Sequence, residues 1–196
     1  MSLLTLSQGS EYSLSVSKSK FDAFVFPCQS ETDFKNKLFD LKTKFPKATH
    51  YCYAYLLLAP ERARANDDGE PSGSAGYPIL GQIKSAGLMN VGCVVCRYYG
   101  GTKLGVSGLI AAYKEVTAKA ILSSQITPLV IIKTISIRGN YIQMMKFMSR
   151  ANQHKWRCFL QENNDEPSLL LEIENNQFDE VVNSISLFSD LQIFEI

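Results

Sequence analysis

The sequence predicts an α+β protein of two domains, residues 1–126 and 127–196, on three observations. The chain of 196 residues is long for one small unit, because compact domains usually run to ~100–150 residues. Strand-like runs rich in aromatic and β-branched residues are interleaved with helical patterns up to Ser123, after which Gln125-Ile126-Thr127-Pro128 breaks the last helix and marks a boundary. Beyond Pro128 the elements follow the order βαββαβ, the ferredoxin-like arrangement.

Glu11 to Val16 and Phe21 to Phe26 read as two strands around the turn Ser17-Lys18-Ser19-Lys20. Ser30 has the form of a helix N-cap, with Asp33 three residues on as a weaker capping box. Phe34, Leu38, Leu41 and Phe45 fall on one face of that helix, the lysines mostly elsewhere, and Pro46 ends it. His50 to Leu58 is a strand, followed by a polar loop from Ala59 to Gly73. Ala75 to Ala86 is a helix with Pro78 in its first turn and Gly87 past its end. Leu88 to Tyr99 is the next strand. Val106 to Ser123 carries two apolar stripes, which predicts a helix covered on most sides and lying across a sheet.

In the second domain, Leu129 to Arg138, Lys155 to Gln161, Ser168 to Glu174 and Leu191 to Ile196 read as strands. Tyr141 to Ala151 and Phe178 to Phe188 read as helices. Phe178, Val181, Val182 and Ile185 have the i, i+3, i+4, i+7 spacing of a helix resting on a sheet.

A formal net charge of +1 provides no global field for a polyanion, so nucleic-acid or membrane attraction has to come from a local patch. No basic segment precedes an apolar stretch at the N-terminus, and no window approaches the ~18 apolar residues of a membrane span, so no membrane association is expected. The five cysteines are odd in number and sit in apolar runs, which points to reduced core thiols and a cytoplasmic setting. Cys93 and Cys96 have the spacing of a redox or zinc pair. On a strand, however, that spacing sends them to opposite faces, and no second Cys/His pair completes four ligands. No metal and no cofactor is expected.

The chemistry concentrates between Asp67 and Gly108. Asp67, Asp68, Glu70, Ser72, Gly73, Ser74 and Gly76 form an acidic, glycine-rich loop just before a helix. Such a loop can expose amides to an anion or gather carboxylates around a cation. Arg97, Tyr98, Tyr99, Gly100, Gly101, Lys103, Gly105 and Gly108 form a second loop between a strand end and a helix start. Its glycines let the backbone approach a ligand, its cations suit phosphate, and its tyrosines suit base stacking. The plain alternative is turn chemistry, with the carboxylates solvated or capping a helix. Lys103 is followed by Leu104, which rules out a P-loop, and the glycine spacing rules out a dinucleotide fingerprint. Gly105-Val106-Ser107-Gly108-Leu109 and Ser72-Gly73-Ser74-Ala75-Gly76 are near misses to a nucleophile elbow. His50 is the one histidine in the first domain and is counted with the binding residues; no catalytic residue is assigned.

Taken together, Asp67 to Leu80, Val94 to Gly105 and Gly108-Leu109 closely resemble the signature of the YigZ/IMPACT family. Lys18-Ser19-Lys20-Phe21 resembles its early Lys-Ser-basic-Phe element, and Ala48 to Ala54 its Ala-x-His strand. The resemblance implies a first domain with the α+β fold of the second domain of a small-subunit ribosomal protein, shared with domain IV of elongation factor G. It implies a ferredoxin-like second domain resembling domain V of that factor. On this footing the expected function is a non-enzymatic RNA- or ribosome-associated protein concerned with regulation of translation, gripping phosphate at the glycine loops. The alternatives are an enzyme on a phosphorylated small molecule or peptide with a carboxylate-held metal, and a module that binds only a protein partner in translation. The oligomeric state is left open.

Overall fold

The computed structural model describes residues 3–59, 61–161 and 167–195. Pro60, inside the expected polar loop, and Ile196, the expected end of the last strand, lie outside the described residues. The chain divides into two compact units, Met1–Leu129 and Val130–Ile196.

In the first unit the elements run β1 (Leu4–Gln8), β2 (Ser10–Val16), β3 (Ser19–Pro27), α1 (Glu31–Lys44), β4 (His50–Leu57), β5 (Arg62–Asn66), α2 (Gly76–Ser85), β6 (Val91–Tyr98), α3 (Gly105–Leu122) and β7 (Gln125–Pro128). Five of these strands form an antiparallel sheet in the order β2-β3-β6-β4-β5. Val16 pairs with Ser19, so the β2–β3 turn is only Ser17 and Lys18, both at positive φ. That is the backbone a two-residue hairpin needs to follow the strand twist. Ser30 caps α1 through the Asp33 amide at 3.1 Å, as its sequence predicts.

The strand period of two separates two cores. Phe21, Ala23, Val25, Cys52, Ala54, Cys93 and Val95 face α2 and α3, while Phe26, Tyr55, Val94 and Cys96 face α1. Cys93 and Cys96 are therefore on opposite faces and cannot act as a pair. The Tyr98 end of β6 leads directly into α3, whose far end lies by Ser10, bonded to the Ala120 carbonyl, so α3 runs back along the sheet.

Three strands lie where the sequence predicts none. β1 pairs antiparallel with β7, and β5 forms an edge of the main sheet inside the expected loop. The expected boundary segment Gln125–Pro128 is thus a strand of the first unit, and the division falls after Leu129 instead of Ile126.

The second unit runs β8 (Ile132–Gly139), α4 (Tyr141–Gln153), β9 (Arg157–Gln161), β10 (Ser168–Glu174), a 3-10 turn (Asn175–Gln177), α5 (Phe178–Ile185) and β11 (Leu191–Glu195). Its antiparallel sheet has the order β11-β8-β10-β9, the ferredoxin-like topology. Met144, Phe147 and Ala151 of α4 and Val181 and Ile185 of α5 pack on Ile135, Ile137, Leu169 and Leu171.

Candidate functional site

Strand register sets Phe21, Arg97 and His50 side by side across β3, β6 and β4, on the sheet face covered by α2 and α3. β5 stops at Asn66 opposite Tyr53, leaving the start of β4 without a neighbour on that side. The acidic loop folds over this gap. Asp68 Oδ2 accepts the Tyr51 amide at 2.6 Å and so replaces the missing strand, and the His50 ring donates from Nδ1 to the Asp68 carbonyl at 2.7 Å.

Asp67 turns the other way, into the start of α2. Its Oδ2 accepts the Gly73 amide at 2.8 Å, and its Oδ1 accepts those of Ala75 at 2.9 Å and Gly76 at 2.8 Å. Burial raises the pKa of this carboxyl, but the amides of Gly73, Gly76 and Ala75 outweigh it and hold the group below the usual aspartate range. The amides that the sequence offers to an external anion are occupied by the chain's own carboxylate. Ser74 is buried with Oγ donating to the Pro71 carbonyl at 2.6 Å, while Ser72 is exposed.

Glu70 reaches into the protein. Its Oε1 accepts from Arg97 Nη1 at 2.6 Å and from the Tyr113 hydroxyl at 2.9 Å, with the Arg97 and Glu70 side chains only 5% and 3% exposed. Tyr113 lies 3.2 Å from Cys52 Sγ, and that thiol donates to the Asp67 carbonyl at 2.9 Å. Burial is the first cause that pushes both the Cys52 thiol and the Tyr113 hydroxyl up, so neither ionises near neutrality. Arg97 is expected from sequence to contact phosphate; instead its charge is met inside the protein by Glu70, with the Phe21 and Tyr99 rings also near its guanidinium. Its Nε, buried, has no partner among the described residues.

The second loop divides between anchoring and display. Tyr98 is half-buried toward α1 under Lys20, but Tyr99 is 45% exposed. The Tyr99 amide donates to Thr49 Oγ1 at 3.1 Å, and that of Gly100 to Ser19 Oγ at 3.3 Å. A Cβ at Gly100 would run into the Lys18 carbonyl, so this glycine exists to let the loop lie on the β2–β3 turn. Gly101, Lys103 and Gly105 are exposed and Gly108 is half-buried. Gly105, at φ +69°, turns the chain into α3. That helix has no side-chain cap and no acidic residue in its first turn, unlike α2, whose first amides Asp67 fills.

The two loops therefore meet through Glu70 and Arg97, with His50 beside them. Among the described residues no group of three or more His, Cys, Asp or Glu side chains is placed to hold a metal ion. Sequence reasoning missed Ser19, Cys52 and Tyr113 as members of the cluster. Tyr113 is legible only as one position of an apolar stripe, although a buried tyrosine hydroxyl always needs a partner.

A sequence profile of the Impact N-terminal domain matches residues 17–121, more than half of the chain and within the unit that holds both loops. The chain belongs to the IMPACT family. The IMPACT family member YvyE of Bacillus subtilis (strain 168) is 28% identical over 183 residues, an alignment that takes in 91% of this chain and 84% of YvyE. YigZ of Escherichia coli (strain K12) is 36% identical over 101 residues, 50% of each chain. An IMPACT family member of Thermus thermophilus is 41% identical over 114 residues, and there the chain spans 61% of the relative's length. A crystal structure described as that of a hypothetical protein superposes with a TM-score of 0.78 at 24% identity, covering 100% of this chain and 98% of the other, a likeness of fold. No helix among the described residues is long and apolar enough to cross a membrane.

Proposed function

We propose that this IMPACT family protein is a non-enzymatic RNA- or ribosome-associated binding protein acting in the regulation of translation, and that it grips phosphate at the Tyr99–Gly108 loop. The observation that carries the reading is the contrast between the two helix starts. The α2 amides are filled by Asp67, whereas α3 opens without a cap behind the exposed, basic and glycine-rich segment containing Lys103. Free amides at the positive end of a helix attract an oxyanion, a lysine beside them adds charge, and an exposed tyrosine adds a stacking face. Lys18, at the turn on which Gly100 lies, borders the same loop.

The rival enzyme reading needs free carboxylates for a metal. Asp67, Asp68 and Glu70 each have partners inside the protein, which weighs against it. Fluorescence anisotropy with a structured RNA tests the proposal. The Tyr99→Ala/Lys103→Ala variant is expected to bind about tenfold more weakly or worse, with a log–log salt slope smaller by about one. Unchanged affinity in a folded variant would remove the site, and nucleotide-dependent thermal stabilisation requiring magnesium would favour the enzyme.

A further inference from the structure

Among the described residues one buried side-chain polar atom has no hydrogen-bond partner, Arg97 Nε. The planar guanidinium fixes where it points: Nε–H and one Nη2–H share an edge, and Nη1, which holds Glu70, lies off that edge. Nη2 meets Ser19 Oγ at 3.4 Å, and the same oxygen accepts the Gly100 amide at 3.3 Å. The edge therefore faces the place where the β2–β3 turn touches the start of the Tyr99–Gly108 loop. Ser19 Oγ is the acceptor in both contacts, so its own proton is used in neither.

A buried donor without an acceptor is destabilising, and native structures keep few of them. Here such an N–H lies next to a buried hydroxyl, and both suit an oxyanion. The Tyr99 ring covers the guanidinium, 5.5 Å from its carbon, yet is itself 45% exposed. Exposed side chains change rotamer within nanoseconds, so this ring can lift from the edge and offer a face to a base. The depth of the two donors, with Arg97 4% and Ser19 0% exposed, selects the phosphate that reaches them. A phosphodiester within a strand carries a sugar on each side and stays at the surface, whereas a monoester has one attachment and can extend its oxygens inward. Its additional negative charge matches Lys18 and Lys103, exposed residues of the turn and the loop. The nearby carboxylates are engaged elsewhere: Glu70 by Nη1 and Tyr113, Asp68 by the Tyr51 amide and Asp67 by the amides of α2.

We infer that Arg97 Nε and the Ser19 hydroxyl form the inner end of the phosphate site. The group it takes is a nucleotide phosphate monoester, at the end of an RNA strand or on a free mononucleotide, with the base on Tyr99. This rests on the phosphate-gripping reading of the same loop and names the form of phosphate that the loop selects.

The test is anisotropy of the full-length chain with one hairpin RNA carrying a phosphate at one end, at the other end or at neither. The parent is expected to bind one phosphorylated form about tenfold more tightly than the hydroxyl form. Arg97→Lys, which keeps a charge opposite Glu70 but lacks the Nε–H, and Ser19→Ala are each expected to remove that preference and still bind the hydroxyl form. Circular dichroism and thermal melting confirm that each variant folds. A preference kept in both variants overturns the inference, and so does an equal loss for all three RNAs, which would make the two residues structural only. Equal affinity of the parent for the three RNAs also overturns it; if Tyr99→Ala/Lys103→Ala then still abolishes binding, the proposed function stands without it. Should the parent bind no RNA, titration with adenosine monophosphate decides. Binding that depends on Ser19 keeps the site and assigns it to a free nucleotide, while no binding overturns the inference together with the reading it rests on.

Discussion

Replacing Glu70 by glutamine would leave the Arg97 guanidinium buried against Phe21 with its charge uncompensated. Removing one partner of a buried pair costs about 3 kcal/mol or more, because the remaining ion has lost its water without regaining its counter-charge. Replacing both partners by apolar residues of similar volume is far milder. Urea unfolding is therefore expected to show Glu70→Gln destabilised by roughly 3 kcal/mol and Glu70→Leu/Arg97→Met much less so; a double variant as unstable as the single would mean the pair does not act as a unit. The same contact explains why these two residues read as ligand groups in sequence. Composition reveals that a loop holds carboxylates and cations but not whether they face each other or solvent. Asp67 was no more legible, since it fills the α2 amides from nine residues upstream, beyond the two- or three-residue reach of an N-cap side chain. Its turn inward fills the first amides of α2, while α3 has no side-chain cap.

Strands β1, β5 and β7 show why some elements escape sequence reasoning while α1 does not. A helix with a capping serine and an apolar stripe carries its evidence within one local window. β5 is Arg62-Ala63-Arg64-Ala65-Asn66, an edge strand whose exposed arginines, one paired with Glu31, resist further strand addition and hide its character. β1 exists because β7 does: Thr5 pairs with Thr127 and Leu6 with Ile126, with little alternation in either run. Leu6 is nonetheless buried in the core beneath α2 and α3. Leu6→Ala is expected to destabilise the chain by about 2–3 kcal/mol, as deletion of a core leucine does. Chemical denaturation checks this, and a loss near zero would mean the β1–β7 ribbon is not part of the cooperative unit.

Across the protein, all five cysteines are buried free thiols. Burial raises Cys28 and Cys158 to about 11 and Cys93 and Cys96 to about 12. In the unfolded chain the same thiols ionise near ~8.5. A group whose folded pKa is raised gives stability that is complete below its unfolded value and is lost as the pH climbs toward the folded one. The urea midpoint is thus expected to fall between about pH 8.5 and 12, and Cys93→Ala/Cys96→Ala to flatten that fall; an equal slope in parent and variant would assign it to other groups. The α+β class, the βαββαβ order, the opposed thiols and the family signature were all readable along the chain, because side-chain period, caps and turn residues act over a few neighbouring positions. The site's wiring was not. Arg97 finds Glu70, Tyr113 and Cys52 meet, and β1 finds β7 through contacts between distant stretches of backbone, so the charges left facing solvent emerge only once the sheet has set its register.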